Sequence, residues 1–206
     1  MKNYSNYHGV NFNDKVINDG NLILDKSLIH DAVIQDVPEK VLIYDKFSND
    51  DGTKKNIVAK VGKLKRGYVV QFNDHDWIII SLPENNVIYE KAVIKLCNSK
   101  LLMKGNPVTV TKINDFGEEY EEVVSYDSIE VPCIVETTIT SFDDTDKAIN
   151  LPEGRINVII PYIEHEDIAI DKEFEMYSEK YKIIGIDYTQ SINKEGLMII
   201  NGKKVV

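Results

Sequence analysis

The chain predicts a mainly β protein made of two small antiparallel barrel-like units, and three observations carry that prediction. Short β-branched and aromatic runs crowd the sequence after Pro38, clusters of Asn, Asp, Gly and Pro cut them apart, and a faint pattern returns about one hundred residues later. A length of 206 residues allows one large domain or two small ones.

The first 38 residues read as an N-terminal arm, mostly irregular, with at most one short helix. Its start, "MKNYSNYHGVNFNDKVINDGNLILDKS", mixes Asn, Asp and Gly with spaced aromatics and aliphatics, which suits a tail that orders against a partner and equally a frayed terminus packed partly on its own domain. Leu28, Ile29, Ala32 and Val33 follow an i, i+1, i+4, i+5 spacing, which predicts a helix over 25–40 that Pro38 stops. From there the strand candidates run from "KVLIYDKF", "NIVAKV", "GYVVQF" and "DWIIISL" to "INVIIPY", "KYKIIGIDY" and "GLMII".

The recurrence sets the domain plan. "VVQFNDHDWIIIS" can be laid on "EFEMYSEKYKIIGID", so that Trp77 falls on Tyr181, 104 residues later, and Asn98 falls on Asn201. Upstream, "KNIVAKV" lies against "RINVIIPY" and "VLIYDKF" against "VPCIVETTI", with an Asp-containing loop between the two strands of each half. The expected units are therefore 39–113 and 120–206, readable as an internal duplication.

Function is harder to read. The run "FNDHDW" sets Asn73, Asp74, His75 and Asp76 beside the only tryptophan. As metal ligands they would alternate between strand faces, and the second copy, "MYSEKY", keeps only Glu179. A hairpin turn that delivers a core strand is the better account. "DDTD" (Asp143–Asp146) lacks the Gly and terminal Glu of an EF-hand loop, and "HED" (His165–Asp167) is not a zincin motif. No Walker loop, GxGxxG or GxSxG occurs, so no catalytic residue, cofactor or metal ligand is assigned and the protein is expected not to be an enzyme. Cys97 and Cys133 sit in apolar runs and read as small buried hydrophobes of a protein made in a cytosol. No apolar stretch marks secretion or a membrane span.

Charge is polarised along the chain, with a net value of −10. Between Thr53 and Arg66 lie six basic residues and no acid: Lys54, Lys55, Lys60, Lys63, Lys65 and Arg66. From Asp115 to Glu153 there are twelve acids against one lysine. Two solvated faces are the simpler reading; the sharper one is that opposite-sign surfaces on one chain suit head-to-tail contacts, as in a ring. Those six bases, with Asp143, Asp144 and Asp146, are the candidate interface.

Within "GYVVQFNDHDWIIISLPENNVIYEKAVIKLCNSKLLMK", the residues Trp77, Ile79, Tyr89, Ala92, Leu96, Cys97, Asn98 and Leu101 resemble a pattern of small neck proteins of long-tailed phages and prophages of Gram-positive bacteria. "INLPEGRINVIIPY" and "KYKIIGIDYTQSINKEGLMII" resemble the second half of such proteins, so the resemblance spans roughly 65–206. It implies a structural subunit of head-closure (stopper) or head–tail connector type, assembled in the host cytoplasm and resident in the virion neck. Such a homo-oligomeric ring sits below a portal or adaptor, retains DNA in its lumen without reading sequence, offers the tail or tail-terminator protein an attachment surface, and touches no membrane. Rival readings are a tail-terminator or baseplate subunit, a tandem-barrel module for glycans or oligonucleotides, and a metal-dependent enzyme built on Asn73–Asp76.

Overall fold

The computed structural model describes residues 12–45, 52–114, 116, 118–139, 149–150 and 154–205. It shows a mostly β protein whose two compact units divide between Leu96 and Cys97.

The first unit contains α1 (Phe12–Ser27), β1 (His30–Ile34), β2 (Val37–Asp45), β3 (Lys54–Lys60), β4 (Val69–Phe72), β5 (His75–Ile79), β6 (Glu84–Asn86) and β7 (Tyr89–Leu96). Its strands run in the order β3-β2-β1-β4-β5-β7, and β7 pairs back onto β3 from Lys54↔Lys95 to Lys60↔Tyr89. Six antiparallel strands thus close into a barrel, with β6 added beside β7. Alternation decides what fills it: Ile57, Ala59, Ala92, Ile94, Val70 and Trp77 point inward and are buried. Val58, between Ile57 and Ala59, faces outward and is nevertheless buried, because Leu24 and Leu28 at the end of α1 cover it. Gly20 lets the helix lie close, since a Cβ there would stand 2.7 Å from the Ile88 side chain.

The helix lies upstream of the 25–40 segment that the spacing indicated. Ala32 and Ile34 are buried while Ile29 is exposed, a period of two rather than 3.6. Residues 30–45 form a hairpin turned by Gln35 and Asp36 at φ 48° and 63°, and Pro38 is tolerated as the second residue of β2.

The second unit contains β8 (Ser99–Ile113), β9 (Glu119–Glu136), β10 (Thr138–Ile139), β11 (Ile149–Asn150), β12 (Arg155–Pro161), β13 (Glu173–Met176), β14 (Glu179–Asp187), β15 (Ser191–Ile192) and β16 (Glu195–Lys204). Its main sheet runs β13-β14-β16-β12-β9-β8, with β15 on β16 and β10–β11 as a separate pair. Val158, Ile160, Ile183, Met198, Ile200 and Cys133 lie at its core. The sheet curls until its edge strands meet, where Ser99 Oγ donates to Met176 Sδ at 3.0 Å. Because β8 pairs along β9 and buries Leu101 and Met103 in this core, the first unit ends at Leu96 and not at 113. For the same reason residues 30–38 belong to the first barrel's wall, outside any arm.

The recurrence seen in the sequence is a recurrence of ladders. β1-β2-β3 and β4-β5-β7 of the first unit correspond to β8-β9-β12 and β13-β14-β16 of the second. Val70 pairs with Trp77 as Phe174 pairs with Tyr181, each partner displaced by 104. Ile43↔Ile57 corresponds to Val135↔Val158, and Asn56↔Val93 to Asn157↔Asn201. The last correspondence corrects the alignment of Asn98 with Asn201: Val93 holds that place. A shared residue type counts for less than the ladder, because an odd slip would turn every side chain of the strand to the other face.

Both units deliver the aromatic by a two-residue turn with positive φ at both positions, Asn73-Asp74 at 51° and 61° and Tyr177-Ser178 at 53° and 62°. Asn and Asp accept that region readily, Tyr and Ser do not. Replacing Tyr177-Ser178 by Asn-Gly therefore raises stability by about 1 kcal/mol. The check is an increased urea midpoint at unchanged slope; a lower midpoint would show that the Tyr177 ring contributes more than the turn costs.

Candidate interaction surfaces

Asn73, Asp74 and His75 are exposed at the tip of the β4–β5 hairpin, and His75 and Asp76 pair across it with Phe72 and Gln71. The tip borders an open groove of ≈ 650 Å³ shared with Asp31, Glu39 and Lys40. Among the described residues no three His, Cys, Asp or Glu side chains come together as a metal site. The part of the motif that the fold uses is Trp77-Ile78-Ile79, all buried. In the second unit Glu179 is taken up by Lys204 Nζ and by the Tyr181 hydroxyl at 2.9 Å; those two bonds, Lys204's first, hold its carboxyl below the usual range.

The six bases lie on β3 and the loop after it. Lys55 bonds Asp45, Lys60 bonds Asp25 and Lys63 bonds Glu39, all within the first unit. Lys55 Nζ also stands 5.9 Å from the Trp77 ring centroid and Lys65 Nζ 5.8 Å from that of Tyr68. The strip is thus partly matched by neighbouring acids, through exposed pairs that contribute little individually. Asp143, Asp144 and Asp146 lie outside the described residues.

The "HED" segment has a role that spacing could not indicate. In the first unit the residue after β1, Gln35, donates its backbone N–H to Val69 O at 3.1 Å, which helps close the barrel. The corresponding residue of the second unit, Lys104, faces no strand. Its N–H donates to Asp167 Oδ2 at 2.8 Å, and His165 Nε2–H donates to its carbonyl at 2.8 Å. Asp167 N–H donates to His165 Nδ1 at 3.1 Å, which fixes the tautomer. Two side chains replace a missing strand and satisfy both polar groups of Lys104. Beside them, between Met103 and Phe174, the seam opens into a cavity of ≈ 500 Å³.

The "LCN" of the resemblance is also structural. Asn98 Nδ2 donates to Val135 O at 2.9 Å and Asn98 Oδ1 accepts from Val135 N at 2.8 Å, fastening the start of β8 to β9. No disulfide joins the cysteines. Cys133 is the buried small hydrophobe expected, whereas Cys97 is only half-buried, at the end of a barrel wall.

Beyond Met103 and before Val131, β8 and β9 continue as a two-stranded ribbon. None of its described side chains is buried, and Ile113, Phe116, Val123, Val124 and Tyr126 are among its exposed apolar groups. It bends where Gly105 and Asn106 face Asp127 alone, a bulge in which a Cβ on Gly105 would stand 3.0 Å from Asp127 O. The sequence signal for it was available: from Lys104 to Glu130 apolar residues alternate with seven acids and two lysines, around an Asn-Asp-Phe-Gly turn.

Two outcomes test these assignments. Asp167→Ala leaves the Lys104 N–H without its acceptor, which costs about 1–2 kcal/mol and speeds exchange of that amide while amides of β7 stay protected. Burial pushes the Cys133 thiol up to about 12, so at pH 8 it resists alkylation until denaturant opens the second unit; labelling as fast as that of an exposed thiol would contradict its place in the core.

The family model described as YomX C-terminal domain matches residues 44–203. The "SPbeta prophage-derived uncharacterized protein YomX" of Bacillus subtilis (strain 168) is 38% identical over 213 residues, covering 100% of this chain and 98% of the relative. No solved structure matches. The matched span takes in the strands from β3 onward and leaves β1 and most of β2 before it, and the chain belongs to the YomX C-terminal domain family, a family of prophage association.

Proposed function

We propose that this protein is a structural subunit of the phage neck: a head-closure or head–tail connector protein that forms a ring below the portal, retains packaged DNA and offers the tail its attachment surface. The observation that carries the reading is the ribbon of β8 and β9, an ordered element with exposed apolar side chains, in a chain matched end to end by a prophage-derived relative. Monomeric proteins seldom keep such groups in water, whereas building blocks of an assembly do. The resemblance of residues 65–206 to neck proteins supplies the place in the virion. A net charge of −10 suits a passage for DNA, because carboxylates repel phosphate and let the duplex slide.

Deleting the gene from an inducible prophage is expected to yield heads that lose DNA and free tails that do not join. Intact tailed particles would overturn the reading. The variant Lys60→Glu with Lys63→Glu is expected to fold with a loss of about 1–2 kcal/mol, since Lys60 makes an exposed ion pair and Lys63 pairs with a half-buried Glu39, yet to block head–tail joining in complementation. Normal particle yield from that variant would remove the basic strip from the interface.

A further inference from the structure

We infer that the β8–β9 ribbon is the element by which one copy of this protein holds the next, laid with its acidic tip against the Lys54–Arg66 strip of a second copy. The inference rests on the ring reading above and names the contact that would build the ring.

The ribbon's stability poses the question. Ten residues of β8, Lys104 to Ile113, extend about 34 Å at strand rise. A two-stranded ribbon of that length is marginal in water without a covering surface. Past Lys104, whose backbone His165 and Asp167 cap, neither outer edge of the ribbon has a strand beside it among the described residues, and such edges invite pairing with another chain. Register and bulges bring Leu102, Pro107, Tyr126, Val123 and Ile113 onto one face, with Lys104 Nζ 5.8 Å from the Tyr126 ring centroid. At the tip Phe116 is 90% exposed and Ile113 68%. One face and one edge of the ribbon offer on the order of 600–800 Å² per partner, close to the lower range of a stable protein interface.

Charge selects the occupant. Seven acids against two lysines leave the segment 104–130 at −5, with Glu118, Glu119, Glu121 and Glu122 nearly contiguous. These carboxylates repel one another, and Lys112 answers only Glu122. The surface that complements them carries cations and few acids, and the stretch 53–66 of this same chain has six bases and none. Its Lys60 and Lys63 pair with Asp25 and with a half-buried Glu39, and the exposed Lys60–Asp25 pair exchanges partners at small cost. Ribbon on strip is a contact between two different surfaces, so repetition closes into a ring or continues as a filament.

The test uses the full chain. Sedimentation velocity over a range of concentration and salt is expected to show assembly that weakens as salt rises. Replacing Pro107–Ser125 by Asn-Gly is expected to leave a monomer with an unchanged thermal transition, because none of the described residues removed is buried. Val123→Lys with Tyr126→Lys is expected to do the same, and serves if the deletion fails to fold. Glu119→Lys with Glu121→Lys and Glu122→Lys should weaken assembly about tenfold or more. Lys60→Glu with Lys63→Glu should do likewise, and the two sets combined should restore it. Assembly that survives both ribbon variants, or reversed charges that fail to rescue each other, would overturn this contact and leave the ring reading standing. A wild-type chain that stays monomeric at all concentrations and on isolated heads would overturn both.

Discussion

The ladder between β3 and β7 is the constraint on which the first unit depends. Without its pairs from Lys54↔Lys95 to Lys60↔Tyr89 the six strands would remain an open sheet with two bare edges. Closing it also settles the core, because in a barrel of six strands the inward set of each strand meets every other. Ile57, Val70, Ile79 and Ile94 are then all withdrawn from water. The second unit repeats these ladders but leaves the pair corresponding to β1–β4 unmade. Its edges meet at Ser99 and Met176 and then part, and the side chains of His165 and Asp167 bond the backbone of Lys104 where a strand would have done so. One plan thus ends as a closed barrel in one case and as a curled sheet with a capped seam in the other.

That difference has a consequence further along the same strands. In the first unit β1 and β2 turn back after five pairs, at Gln35-Asp36. In the second, the matching strands β8 and β9 do not turn; they run on past Met103 into the ribbon. A hairpin that stays within the wall is covered by its neighbours, whereas one that outruns it exposes both faces and both edges. The ribbon and the basic strip are surfaces that a second molecule could complete. The groups that first invited a chemical reading, Asn73–Asp76, His165–Asp167 and Glu179, are occupied in making turns, capping an edge and pairing with Lys204.

Much of the architecture could be read from residue order. Period-two alternation, Asn-Asp turns and the recurrence of Trp77 at Tyr181 follow from local rules, since side chains on a strand alternate and positive φ selects a short list of residues. The helix did not follow. Leu28, Ile29, Ala32 and Val33 satisfy a helical spacing and a strand pattern nearly equally, and burial of Ile34 against Val70's side of the barrel decides for the strand. Helix α1 in turn has few apolar residues to announce it; it is held because Leu24 and Leu28 find Val58 on a surface made by three distant strands.

The sequence by itself determined that this chain is β-rich, twofold in plan and polarised in charge, because composition, period and turn chemistry are properties of neighbouring residues. Only the tertiary structure decided where one unit stops and the next begins, which strand register the repeat obeys, that Asp167 and His165 serve a backbone edge, and that β8 and β9 leave the core as a ribbon. Each of those depends on hydrogen bonds and burial between segments far apart in the chain, and an isolated stretch of sequence carries no mark of the partner it will meet.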